Sequence, residues 1–127
     1  MQRHKVRRRR RNSCLQTLEL LRAEAPGLSL TEALVFLYVA ENEGLNMREV
    51  AQVCGLSDST ASRTTRALAD GDDPLSLPPA RGWIEVRRNP ADGRGRTLYL
   101  TESGRGLVDA IDRALADAIT ITGEVAA

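Results

Sequence analysis

Histidine is almost missing from this chain: His4 is the only one in 127 residues, and it sits in an arginine-rich stretch near the N-terminus. That scarcity removes the Ser/His/Asp and Cys/His sets of nucleophilic catalysis. Cysteine is nearly as scarce. Cys14 and Cys54 lack the close spacing of metal ligands, so no zinc site is expected. Two cysteines make no disulfide framework, and both are read as small buried apolar side chains. Aromatic residues are 3% of the chain, which poorly supplies a ligand pocket built on stacking. Neither a P-loop nor a glycine-rich dinucleotide fingerprint occurs. No apolar run approaches the ~20 residues of a membrane span. The basic N-terminus is not followed by the apolar stretch and cleavage site of a secretory signal. These absences lead to the expectation of a cytoplasmic, non-enzymatic protein without cofactor, metal or membrane partner.

What is present fits one globular domain, with 42% apolar and 28% charged residues. A domain of this size buries roughly two-thirds of its unfolded surface, enough for a core without staples. The net charge of +1 conceals an asymmetry. Arg3, Lys5 and the run Arg7 to Arg11 supply seven of the 18 cationic side chains, and the other 116 residues carry 11 against 17 acids. Residues 1–12 read as a disordered basic arm, with residues 13–127 as the single domain. Such an arm suits a polyanionic partner; as a solvated tail it needs none.

Helix signals recur along the body. From Ser13 to Glu24, Cys14, Leu18, Leu21 and Ala25 make a helical stripe with Leu15 beside it, and Pro26-Gly27 ends it. Ser29-Leu30-Thr31-Glu32 is a capping box. The run Ala33 to Ala40 behind it is apolar on every face, which predicts a central buried helix with Gly44 as its C′ stop. Asn46 and Glu49 cap a third helix, Leu45 and Val50 take staple positions, and Met47, Val50, Ala51 and Cys54 point inward. Gly55 ends it. After Leu56, Ser57 caps a fourth helix running to about Ala69. Two short helices joined by a glycine turn, the second rich in Ser, Thr and Arg, read as a helix-turn-helix. Residues 70–82 are a loop by composition. Trp83 to Arg88 and Arg96 to Leu100 are β-prone, with a hairpin tip from Asn89 to Gly95. Thr101 caps a last helix with Leu107, Val108, Ile111, Leu115, Ala118 and Ile119 on its apolar face. The fold class is mainly α with a small β-hairpin wing, a winged helix-turn-helix. The terminal helices are read at about 13–25 and 102–121.

On the fourth helix Ala61, Leu68 and Ala67 suit the core, and Ser59, Thr60, Ser62, Arg63 and Arg66 the outside. Small hydroxyl residues at a helix N-terminus let the backbone approach a phosphate or base edge, and the dipole favours an anion there. Arginine reads guanine bidentately. The hairpin holds Arg87, Arg88, Arg94 and Arg96, with Asp92 two residues before Arg94. Arginines projecting from a glycine-bearing loop suit a minor groove, where the potential is most negative. Taken singly, the helix is also an ordinary exposed capped helix and the hairpin a solvated turn; the two in this order are more specific than either.

At these residues the chain resembles a known family. Ser57-Asp58-Ser59-Thr60-Ala61-Ser62-Arg63, Gly82-Trp83-Ile84-Glu85, Arg88-Asn89-Pro90-Ala91-Asp92-Gly93-Arg94 and Leu98-Tyr99-Leu100-Thr101-Glu102-Ser103-Gly104-Arg105 look like the MarR (multiple antibiotic resistance regulator) family, over about residues 29–112. The resemblance implies a homodimer, assembled through the terminal helices, on pseudo-palindromic double-stranded DNA operators, often with a small-molecule or oxidant inducer. It implies Ser59, Thr60, Ser62 and Arg63 as major-groove and phosphate contacts, and Arg94 as the minor-groove arginine with Asp92 as its support. Ser57, Arg66, Arg88 and Arg96 complete the candidate DNA-binding set. Three features depart from the family pattern: Asp72 to Arg81 look inserted, the C-terminal region holds one helix where the family often has more, and the arginine arm has no counterpart. Cys14 has two readings, packing or oxidant sensing beside the arginines. Trp83 also has two, pocket lining or wing-base core. The functional alternative is a winged helix that binds protein and reads no DNA, which the Pro74–Pro79 loop and the acidic body would suit.

Overall fold

Five helices begin where a short polar side chain accepts an orphan N–H. Asn12 accepts from Leu15 at 2.8 Å, Ser29 from Glu32 at 3.0 Å, Asn46 from Glu49 at 2.9 Å, Ser57 from Thr60 at 3.1 Å and Thr101 from Gly104 at 3.0 Å. Glu32 and Glu49 reach back to the Ser29 and Asn46 N–H groups, closing two capping boxes. The computed structural model describes residues 12–89 and 95–122. Its elements are α1 (Ser13–Glu24), α2 (Leu30–Glu41), β1 (Leu45–Asn46), α3 (Met47–Cys54), α4 (Asp58–Leu68), β2 (Ile84–Asn89), β3 (Gly95–Leu100) and α5 (Glu102–Ala116). The mainly helical winged helix-turn-helix class stands. Residues 1–11 of the arm and residues 90–94 of the hairpin tip, with Asp92 and Arg94, lie outside the described residues; Asn12, counted with the arm, is the ordered cap of α1.

One core joins these elements. Leu21 and Ala25 of α1 and Val35, Phe36 and Val39 of α2 meet Val50 and Ala51 of α3 and Ala61 and Leu68 of α4. Trp83, Ile84, Leu98 and Leu100 cover them from the sheet, and Leu107 and Ile111 from α5. Trp83 is buried, with its ring 4.9 Å from that of Phe36, so it packs at the wing base.

Several expectations need correction. The sheet has three strands, ordered β1-β3-β2, because Leu45 and Asn46 pair with Leu98 and Thr97. Gly44 is not the C′ residue of α2, whose C-cap is Asn42. Its φ of 98° turns the chain into β1, and its N–H donates to Leu98 O at 2.7 Å. The last helix stops at Ala116, short of residue 121. Beyond it Ile119 exchanges hydrogen bonds with Ser13, tying the end of the chain to the start of α1. α2 is not buried all round: Leu30 is 71% and Leu34 45% exposed. The α1 stripe is covered only at Leu21 and Ala25, while Leu15 and Leu18 are exposed.

Cys14 is exposed rather than packed, and Cys54 is half-buried against the core. Burial pushes the Cys54 thiol above its ordinary pKa, which lowers its thiolate fraction. An alkylating reagent at neutral pH should therefore modify Cys14 well before Cys54. Mass spectrometry of a time course checks this, and equal rates would contradict it.

The 70–82 segment is an ordered structure built on backbone groups. Asp70 and Asp73 side chains accept from the Asp72 and Leu75 N–H groups at 3.0 and 2.8 Å. The Pro78–Pro79 bond is cis. Leu77, Arg81, Gly82 and Trp83 donate their N–H groups to α4 and its C-cap, at Arg66, Ala67, Ala69 and Leu68 O respectively.

Candidate nucleic-acid interface

The second helix of the helix-turn-helix shows two faces. Ala61, Thr65 and Leu68 are buried, and the Thr65 hydroxyl donates to Ala61 O at 2.7 Å, so the one polar group on that face is satisfied. Gly55, at φ 66°, makes the left-handed C-cap between α3 and α4. On the other face the first turn gathers hydroxyls. Ser57 Oγ lies 3.3 Å from Ser59 Oγ and donates to Thr60 Oγ1 at 3.0 Å, while Arg63 Nη2 donates to the same oxygen at 3.5 Å. Ser57, Ser59 and Arg63 are exposed; Thr60 and Ser62 are half-buried. Five of the expected side chains thus share one outward surface, with donors at a positive helix end.

Arg66 differs from them. It is half-buried, and its Nε donates to Leu75 O at 2.7 Å. It braces the 70–82 segment, a role that composition alone did not indicate.

The wing supplies a second cationic element. β2 and β3 pair antiparallel, with Arg88 directly opposite Arg96. Alternation puts both on the face that carries Ile84, Val86, Leu98 and Leu100, displaced toward the hairpin tip beyond the core. Arg88 is exposed and Arg96 half-buried, and among the described residues no carboxylate pairs with either. Two like charges face each other across a ladder, an arrangement that costs stability unless an anion joins them. Arg87 takes the opposite face, 3.8 Å over the Tyr99 ring and 3.2 Å from Glu85, and is committed there.

The residues after the wing anchor it. Thr101 donates its hydroxyl to Gly82 O at 2.6 Å and its N–H to Trp83 O at 3.0 Å. Glu43 accepts from Leu100 N at 2.7 Å and from Arg105 at 2.9 Å, joining β3 and α5 to the end of α2. At Gly104 a Cβ would stand 2.2 Å from Trp83 O, a backbone atom. Gly104→Ala should therefore destabilise the protein by about 1–3 kcal/mol, as overpacking does, lowering the urea midpoint. A wild-type midpoint would refute the close approach.

The fold is thus a helix-turn-helix with an adjoining arginine-bearing wing. The MarR family model matches residues 27–72. That segment is similar to the MarR family, and the chain has the winged-helix fold of MarR-type structures. Similar solved structures include a MarR-like transcriptional regulator from Thermotoga maritima, at 24% identity and TM-score 0.60, covering 74% of this chain and 60% of that one. A second is Bordetella bronchiseptica BpsR, from work on regulation of its DNA binding by 6-hydroxynicotinic acid, at 18% identity, TM-score 0.53 and coverage of 82% and 69%. A third is Staphylococcus aureus MarR in complex with salicylate and kanamycin, at 20% identity, TM-score 0.58 and coverage of 79% and 59%. The chain spans about three-fifths of the length of the first of these. No curated protein matches it. Among the described residues no helix is long and apolar enough to cross a membrane.

Proposed function

We propose that the protein is a sequence-specific, DNA-binding transcription regulator of MarR type, a cytoplasmic repressor acting as a homodimer on pseudo-palindromic operators. The outward face of α4 carries this reading: a capped helix start with exposed Ser57, Ser59 and Arg63, set on a buried Ala61–Thr65–Leu68 face. Ser57, Ser59, Thr60, Ser62 and Arg63 would enter a major groove. Arg88 and Arg96 would lead the tip, with Arg94 and its support Asp92, toward the adjacent minor groove. Arg66 would contribute a phosphate contact only through the nitrogens that Leu75 leaves unused. The Arg88–Arg96 pair, with no carboxylate partner among the described residues, favours DNA over a protein partner, because it calls for a polyanion.

The homodimer is supported by α1 and α5, which pack together and leave Leu15, Leu18, Leu115 and Ile121 exposed. A second copy would cover such a face. A cleft of about 290 Å³ between α1 and α2, lined by Leu18, Leu21, Leu28 and Ala33 with Arg22 and Ser29, offers a small-molecule inducer an apolar seat and polar groups.

Selection of bound sites from a random DNA pool, with the mass of the complex measured alongside, tests the proposal. The expected result is an enriched two-fold motif with half-sites about one helical turn apart, bound by two chains. Affinity should fall by ~0.9 log unit per neutralised phosphate per log unit of salt. Equal competition by heparin, random DNA and the selected site would overturn sequence-specific reading.

A further inference from the structure

We propose that Arg81 is a positioning residue for the DNA-reading helix, acting through Glu32; this rests on the DNA-binding reading above. The last carbonyls of a helix have no partner within it, and here the segment after α4 supplies them. Leu77 N donates to Arg66 O at 2.9 Å, Arg81 N to Ala67 O at 2.9 Å, Trp83 N to Leu68 O at 3.0 Å and Gly82 N to the C-cap Ala69 O at 3.1 Å. Arg66 returns a bond from its side chain to Leu75 O at 2.7 Å. The segment is a clasp on the far end of α4.

A clasp orients a helix only if it is itself held. Arg81 Nε donates to Glu32 Oε2 at 3.2 Å, and the two side chains are only 14% and 16% exposed. Glu32 is fixed independently, because its Oε1 accepts from Ser29 N in the capping box of α2. One carboxylate therefore closes the start of α2 and, through Arg81, 49 residues away in the chain, anchors the end of α4. Ser57 sets the beginning of α4 and this link sets its end. A reading surface must be held within about 0.5 Å by groups that never touch the ligand, and preorganisation of that kind raises affinity by lowering the ordering cost.

The test uses the full chain and an operator selected from the random pool, at temperatures where every variant is folded. Glu32→Gln keeps the capping acceptor but removes the charge that holds Arg81. Electrostatics alone would make the loss of an acid tighten DNA binding. The positioning role predicts the opposite, a roughly five- to tenfold weaker operator complex. Arg81→Ala should weaken it by the same factor with an unchanged salt slope, Arg81→Lys should restore most of it, and the double variant should be no weaker than either single one. The amides of the last turn of α4 should exchange faster in Arg81→Ala. Equal or tighter binding by Glu32→Gln, or a salt slope shallower by ~0.9 in Arg81→Ala as for a direct phosphate contact, would overturn the proposal. So would unaltered exchange in α4, whatever the DNA result. A wild-type chain that binds no DNA would remove the DNA-reading role itself, with the exchange data still reporting on the clasp.

Discussion

Phe36→Ala should cost about 3–5 kcal/mol of stability, the range for removing a buried ring, against the 5–15 kcal/mol typical of a whole domain. Phe36 is fully buried at the centre of α2, and its ring meets Trp83 at the base of the wing. Its cluster also holds Val35, Val39, Leu68 and Leu98, all fully buried and drawn from three elements, so collapse around the vacancy would need several elements to move together. The cost extends beyond α2. Trp83 O receives the Thr101 N–H, and its position is set closely by Gly104, so a loosened Trp83 loosens the joint between wing and α5. The expected result is a large fall in the urea midpoint with an unchanged m-value, which marks lost stability rather than an altered unfolded state. Leu30→Ala supplies the contrast. Leu30 lies on the same helix but is 71% exposed, so its effect on the isolated chain should stay within about 0.5 kcal/mol. Equal losses at the two positions would mean that α2 is enclosed on every side after all.

That pair also locates the limit of what could be read from residue order. The starts of four helices were legible because Ser29, Asn46, Ser57 and Thr101 carry their capping function in their own chemistry, whereas Asn12, the cap of α1, was counted with the arm. The hydroxyl face of α4 and the two wing strands followed from periodicity. Apolar periodicity does not say which face finds a partner, which is why Leu34, Leu18 and Cys14 were misplaced. β1 is two residues long and exists only because Leu98 and Thr97 lie beside it, a fact about distant chain. The 70–82 clasp was hidden for a different reason. Its bonds to α4 run between backbone atoms, which every residue type possesses, so its composition advertised only a loop. Arg66 was read as a DNA contact and Arg81 was assigned no role, because Leu75 O and Glu32, the groups they serve, are brought to them by folding. Arg88 and Arg96 were visible as charges, but their direct opposition depends on the strand register.

That register leads to the strongest functional expectation. Replacing Arg88 and Arg96 together by alanine should weaken operator binding by roughly tenfold per arginine near 0.1 M salt, on the order of a hundredfold for the pair on each protomer, and make the salt slope shallower by about 1.8 per protomer, about 3.6 for the proposed homodimer. Stability should move the other way. Like charges directly opposite on adjacent strands are destabilising by a few tenths of a kcal/mol up to about 1, and among the described residues no carboxylate offsets these two. The double variant should therefore unfold at the same or a slightly higher urea concentration while losing its DNA. Opposite signs in the two measurements would mark a site whose repulsion in the free protein is relieved by the ligand. Parallel losses in both would mark the arginines as structural, and unchanged affinity would take the wing out of the interface, leaving α4 to bind alone. Arg87→Ala, on the other face over Tyr99, is the control: it should leave the salt slope where it was, because its guanidinium is already engaged with Glu85 and the ring.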